Sequence, residues 1–161
     1  MDIPALQRYL HDHIPLSKAM GVEVVEATDS GVTLAAPLAP NINHRETVFG
    51  GSASAVAILS AWTLMYLRLK SEQLNVRIVI QKNTMTYERP ITGKFIASAA
   101  ISDSTAWRRF VDTLKRKRRG RFTVRSILYR HAEKVGEFEG DFVAWILDAH
   151  SLEENPGELV R

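Results

Sequence analysis

Hydrophobic spacing changes character several times along this chain. From Pro4 to His13 the pattern is that of a short amphipathic helix, which Pro15 ends because proline disfavours helical backbone in the residue before it. Val22 to Thr28 and Val32 to Leu38 read as strands. The turn-forming Asp29, Ser30 and Gly31 between them predict a hairpin. The run from Ala53 to Leu69 is different, because Ser54, Ser60, Thr63 and Tyr66 are its only polar members before Arg68. Its length and its Ala, Leu and Met content predict a helix, and a helix apolar on every side is buried in a core or in a membrane. Gly50, Gly51 and Ser52 open it, with Ser52 as the expected N-cap.

Four strand-like segments follow: Val76 to Glu88, Lys94 to Ser102, Phe122 to His131 and Val135 to Leu147. The second places Phe95, Ala97, Ala99 and Ile101 on one face, and the third sets Phe122, Val124 and Leu128 against Thr123, Arg125 and Tyr129. Ala132, Glu133 and Lys134 turn between the last two. Thr105 to Arg118 interrupts these strands as a helix, with Trp107, Phe110, Val111 and Leu114 on one stripe and Asp103 or Ser104 as its cap. The tail from Ser151 to Arg161 is polar, holds Pro156 and Gly157, and is expected to fray. The predicted class is therefore α+β: a long central apolar helix wrapped by a curved antiparallel sheet, with an extra basic helix between two strands. One domain is expected over residues 1–150, with 151–161 as a tail. A half-wrapped sheet leaves edges open to a second copy.

Val48 to Leu67 has the length of a bilayer span. The two glycines at its start, its hydroxyls and the amphipathic strands after it argue for a core helix and against a membrane span. A chain of 161 residues with 45% apolar content is enough for one real core. The absence of cysteine excludes disulfides, thiolate catalysis and cysteine zinc sites. Met1, Asp2, Ile3 and Pro4 do not begin a basic stretch followed by an apolar run, so the expectation is a cytoplasmic protein. His11 and His13 lie on different helix faces and His131 and His150 are isolated, so no metal is expected. There is no phosphate loop and no GxGxxG, and no cofactor is expected.

Net charge is only +3, yet Lys115 to Arg121 holds six basic residues, with Arg108 and Arg109 upstream. Such a field suits an anionic partner; a solvated helix end accounts for it equally well. No helix-turn-helix or RNA-binding signature accompanies the run, which argues against nucleic acid.

The polar Asn loop, the Gly-Gly helix start and the strand ending in Tyr87-Glu88-Arg89-Pro90-Ile91 together resemble the hotdog thioesterase superfamily. Ala36-Pro37-Leu38-Ala39-Pro40-Asn41-Ile42-Asn43 followed by Thr47-Val48-Phe49-Gly50-Gly51-Ser52 is similar to one branch, the putative thioesterase domain found alone or behind a GNAT acetyltransferase in bacteria. The resemblance covers Leu16 to His150. It implies a homodimer or a dimer of dimers, with an acyl-thioester site between the Asn loop of one chain and the central helix of the other.

Thioester hydrolysis needs a polarised carbonyl and an activated water, and a helix N-terminus offers unpaired N–H groups for the first. Gly50, Gly51 and Ser52 stand where those donors belong, though close helix–sheet packing also favours glycine there. The chain departs from the family at Phe49, where histidine is common, and at Val56 to Leu59, where an Asp or Glu is common. The remaining candidates are Asn43, which matches the loop asparagine, Glu46, at a position where glycine is common, and His44. Each can also be read as an exposed loop residue. Arg116 and Lys117 are candidates for the phosphates of CoA or an acidic carrier protein. The expected activity is hydrolysis of an acyl-CoA or acyl-carrier-protein thioester. The alternative is a non-catalytic acyl-binding module, favoured by the missing helix carboxylate.

Overall fold

In a computed structural model, which describes residues 2–147, the first helix α1 (Ile3–His13) is capped by Asp2, whose carboxylate accepts the Ala5 amide at 2.7 Å. It ends at Ile14. The helix expected over Pro4 to His13 is α1; beyond it Pro15 also opens a short second helix that the pattern does not predict, α2 (Pro15–Ala19), at the position where a missing N–H is harmless. The hairpin of β1 (Glu23–Ala27) and β2 (Gly31–Ala36) follows, antiparallel as expected. Its turn is held by Thr28, whose Oγ1 accepts the amides of Ser30 and Gly31.

The long helix α3 (Gly50–Ser71) leads into β3 (Val76–Tyr87), β4 (Phe95–Ala100), α4 (Ser104–Lys117), β5 (Arg119–Arg130) and β6 (Glu133–Ile146). The six strands form one sheet in the order β1-β2-β4-β5-β6-β3, every neighbour antiparallel. α3 lies across one face. Its Val56, Ala57 and Leu64 are buried, as are Phe95, Leu128, Phe138 and Phe142 of the strands. Beneath the helix, the Ser60 hydroxyl donates to the Ala57 carbonyl and meets the Ser126 hydroxyl at 2.8 Å, so these buried polar groups are partnered and tie α3 to β5. The segment long and apolar enough to cross a bilayer is therefore the core helix of a hotdog fold, covered by its sheet.

α4 packs on the same face. Phe122 alternates with Val124 and Ser126 toward the helix side of β5, and its ring meets both Trp107 and Phe110. The Arg68 guanidinium near the end of α3 stacks on Trp107 at 4.3 Å, and Lys115 pairs with Glu72 at 3.7 Å. The basic run does not lie on one helix: Lys115, Arg116 and Lys117 close α4, Arg118 adopts left-handed backbone at φ 58°, and Arg119 to Arg121 already belong to β5. The domain boundary at 150, the tail from Ser151 and His150 lie outside the described residues.

Candidate active site at the start of the central helix

The N-cap of α3 is Phe49, not Ser52, and no side chain caps it. Gly50, Gly51 and Ser52 therefore fill the first three helical positions. Among the described residues none of their amides meets an acceptor, whereas the Ala53 amide already bonds the Phe49 carbonyl at 3.1 Å. No acidic residue occupies the first turn, so the positive end of the helix dipole is unmatched. Two aromatic rings flank this end. The exposed Phe49 ring lies over Gly51, where a Cβ would clash with it. Tyr87 donates its hydroxyl to the Gly50 carbonyl at 2.9 Å. A cavity of about 370 Å³ opens beside them, lined by Thr47, Val48, Gly50, Tyr87, Glu88 and Ile91 among others.

The loop that delivers the helix is built from two asparagines. Asn41 is buried and donates to the carbonyls of Met20 and Pro37, while its own carbonyl accepts the Phe49 amide at 2.7 Å. Asn43 closes the loop tip: its Oδ1 accepts the amides of Arg45 and Thr47, and its Nδ2 donates to the Thr47 hydroxyl at 2.9 Å. Glu46 sits at φ 60°, which is the physical reason a glycine suits this position. Its side chain is exposed, as is that of His44, whose ring meets Arg45 Nε at 3.4 Å.

The structure thus gathers Asn43, His44, Glu46, Phe49, Gly50, Gly51 and Ser52 into one loop and helix start. It does not bring Arg116 and Lys117 there. α4 packs at the far end of α3, and 22 residues of helix span about 33 Å. The neighbourhood also contains groups that sequence spacing did not single out. Asn41 looked like any loop residue, and its value is burial, which no local pattern reveals. Glu88 lines the cavity from the end of β3, with its carboxylate 2.9 Å from Lys134 Nζ. The sequence marks Tyr87 only as part of the Tyr87-Glu88-Arg89-Pro90-Ile91 strand end. Among the described residues no three His, Asp or Glu side chains form a metal-binding group.

The family model described as "Putative thioesterase (yiiD_Cterm)" matches residues 3–146. A protein of unknown function from Chlorobaculum tepidum TLS superposes with a TM-score of 0.85 at 27% identity, over 89% of this chain and 94% of that one. A protein described as a putative thioesterase from Shewanella oneidensis gives 0.79 at 25% identity, over 89% and 96%. A Haemophilus influenzae thioesterase gives 0.73 at 12% identity, over 93% and 95%, a likeness of fold alone. The first part of the chain that this family model covers is α1, and its last is the end of β6, so the open helix start lies well inside the match: the chain belongs to the YiiD_C family, described as "Putative thioesterase".

Proposed function

We propose that the protein hydrolyses acyl thioesters of CoA or of an acyl carrier protein, with the thioester carbonyl held by the free amides of Gly50, Gly51 and Ser52. The observation that carries this reading is an uncapped helix N-terminus, with unpartnered N–H groups, beside a cavity. Donors fixed there stabilise the negative charge that develops on the carbonyl oxygen when water adds, and they need no reorganisation at that moment. Loss of the thiolate then collapses the adduct to the free acid. Glu46 is the base proposed to take the proton from water. Asn43 positions it by closing the loop, since its amide is committed to Arg45 and Thr47. His44 on the same loop is the second candidate for proton transfer. Replacing Glu46 by Ala is expected to lower kcat by about 10²–10³, and Asn43→Ala to lower it less while loosening the loop. Full activity in both would overturn this assignment.

The proposed assembly is a homodimer joined through β3, a twelve-residue strand at the sheet edge whose outer side has no neighbour among the described residues. Two-fold pairing of β3 with itself is antiparallel, which sets the start of one copy's strand by the end of the other's. The start of β3 adjoins the α4 end of α3, and its end adjoins Gly50. In such a dimer the partner subunit's basic tract approaches this chain's helix start, which is how Arg116 and Lys117 would serve substrate phosphates. Neutralising both should raise KM for acyl-CoA at low salt and converge with wild type at high salt. A cytoplasmic location is in keeping with such a substrate.

A non-catalytic acyl-binding module is the second reading. It is favoured by the absence of a carboxylate between Ser52 and Leu69 and by the committed Asn43 amide. Thiol release from a panel of acyl-CoAs separates the two.

A further inference from the structure

Gly51, Ala55, Ile58 and Trp62 recur at spacings of four, three and four, so they form one stripe of α3. This stripe is only partly covered: Gly51 is exposed and the other three are half-buried, while Val56, Ala57 and Ser60 between them are fully buried. One turn beyond Gly51 the stripe becomes one wall of a separate groove of about 260 Å³. The other wall comes from the α1–α2 junction, with Ile14, Leu16 and Met20. Every residue in both walls is apolar, and Leu16 stays 59% exposed. The lining residue farthest along the helix is Trp62, the first of a row of stacked rings. Trp62 stacks on Tyr66 with centroids 5.3 Å apart, Tyr66 on Tyr9 at 5.0 Å, and Tyr9 on His13 at 4.2 Å. Trp62 is also pinned, because its indole N–H donates to the Ile78 carbonyl at 3.2 Å.

We infer that this groove takes the acyl chain of the thioester, and that the Trp62–Tyr66–Tyr9 stack sets its length at about eight to twelve carbons, which makes the substrate class medium-chain acyl thioesters. The inference rests on the thioesterase reading for the position of the carbonyl. With the carbonyl at Gly51, the groove begins about 6 Å along the helix axis, opposite Ala55, and Trp62 stands about 16 Å along it. An extended alkyl chain, with bonds of about 1.5 Å near tetrahedral angle, advances about 1.25 Å per bond. A chain of about eight carbons therefore reaches into the groove, and one of about twelve fills it and stops against the indole. The volume argues for the same occupant, since it is below the range of about 300–1,000 Å³ that suits a drug-sized ligand and fits one flexible chain. The link to the open amides is the helix stripe itself, since Gly51 at the helix start and Ala55 at the mouth of the groove lie one turn apart on the same side of α3.

Two assays test the inference and keep it distinct from the reading it rests on. The first is kcat/KM on acyl-CoAs from four to sixteen carbons. The second is binding of the matching thioether analogues of CoA, which cannot be hydrolysed. Wild type should gain up to roughly fourfold per added methylene and stop gaining near twelve carbons. Trp62→Ala should move the preferred chain longer by several carbons, and Ile58→Trp should move it shorter. The paired substitutions guard against misfolding, because a damaged fold cannot shift the preference in opposite directions. Hydrolysis with a flat length profile, or one that neither variant shifts, would overturn the groove while leaving the hydrolase intact. Length-dependent thioether binding without hydrolysis would keep the groove and overturn the hydrolase. A groove covered by a second copy would show as a change of oligomeric state in Leu16→Glu with an unchanged length profile, and would also overturn the inference.

Discussion

The two ends of α3 are built to opposite rules. At its C-terminal end the helix is closed: Arg68 stacks on Trp107, Glu72 pairs with Lys115, the Glu72 amide bonds back to Arg68 and Lys70, and Leu69 is fully buried. At its N-terminal end no group among the described residues caps it: two glycines, no capping side chain, three free amides and two exposed aromatic rings. A helix that served only as core would be expected to carry a polar cap, which α1 and α4 both do through Asp2 and Asp103. On the proposed function, the contrast puts stability at one end and chemistry at the other.

The strongest way to break the contrast is at the closed end. Trp107 packs with Phe110, Phe122 and Arg68, so Trp107→Ala should destabilise the fold by about 3–5 kcal/mol, read by chemical denaturation. An equal loss from Phe49→Ala, whose ring is exposed, would erase the distinction. A smaller test concerns the caps. Asp103→Ala should cost about 1 kcal/mol by freeing the amides of Thr105 and Ala106, whereas Phe49→Asp should add a similar amount by capping α3. The least effect is expected at Lys115. Its pair with Glu72 is solvent-exposed, and Lys115→Ala should change stability by no more than about 0.5 kcal/mol.

A pH test addresses the cluster that borders the open end. Lys134 bonds both Glu137 and Glu88, and its hydrogen bond holds the Glu137 carboxyl below its ordinary value of 4.5. A depressed carboxyl contributes stability above its unfolded pKa and loses it as pH falls through the folded one. The fall in Tm below about pH 4.5 should therefore be shallower in Glu137→Gln than in wild type. An unchanged acid limb would show that this pair contributes nothing to it.

Much of the fold was legible because burial imposes periodicity. Phe95, Ala97 and Ala99 alternate in the sequence because one face of β4 lies under α3, and the unbroken apolar run of α3 reflects cover on several sides. The second helix was hidden because proline reads equally as a stop and as a start. The basic run misled in the same way, since residue type alone cannot show that Arg118 turns the chain and that Arg119 begins a strand. At the candidate site the glycines were visible but the cap was not. Ser52 satisfies the composition rule for an N-cap, yet the cap falls three residues earlier, at Phe49, whose amide is held by the Asn41 carbonyl across the loop. The distance between Gly51 and Arg116, and the alignment of Gly51 with Trp62 beside α2, are tertiary facts that spacing alone could not supply.

The central claim is that the open amides of α3 do the chemistry. Its most direct test is thiol release from decanoyl-CoA by wild type and by Phe49→Asp, in which a carboxylate at the cap position accepts from the amides of Gly51 or Ser52. The account predicts hydrolysis by wild type and a loss of at least about 100-fold in kcat in the variant, with Tm undiminished. Equal hydrolysis by both proteins would contradict it.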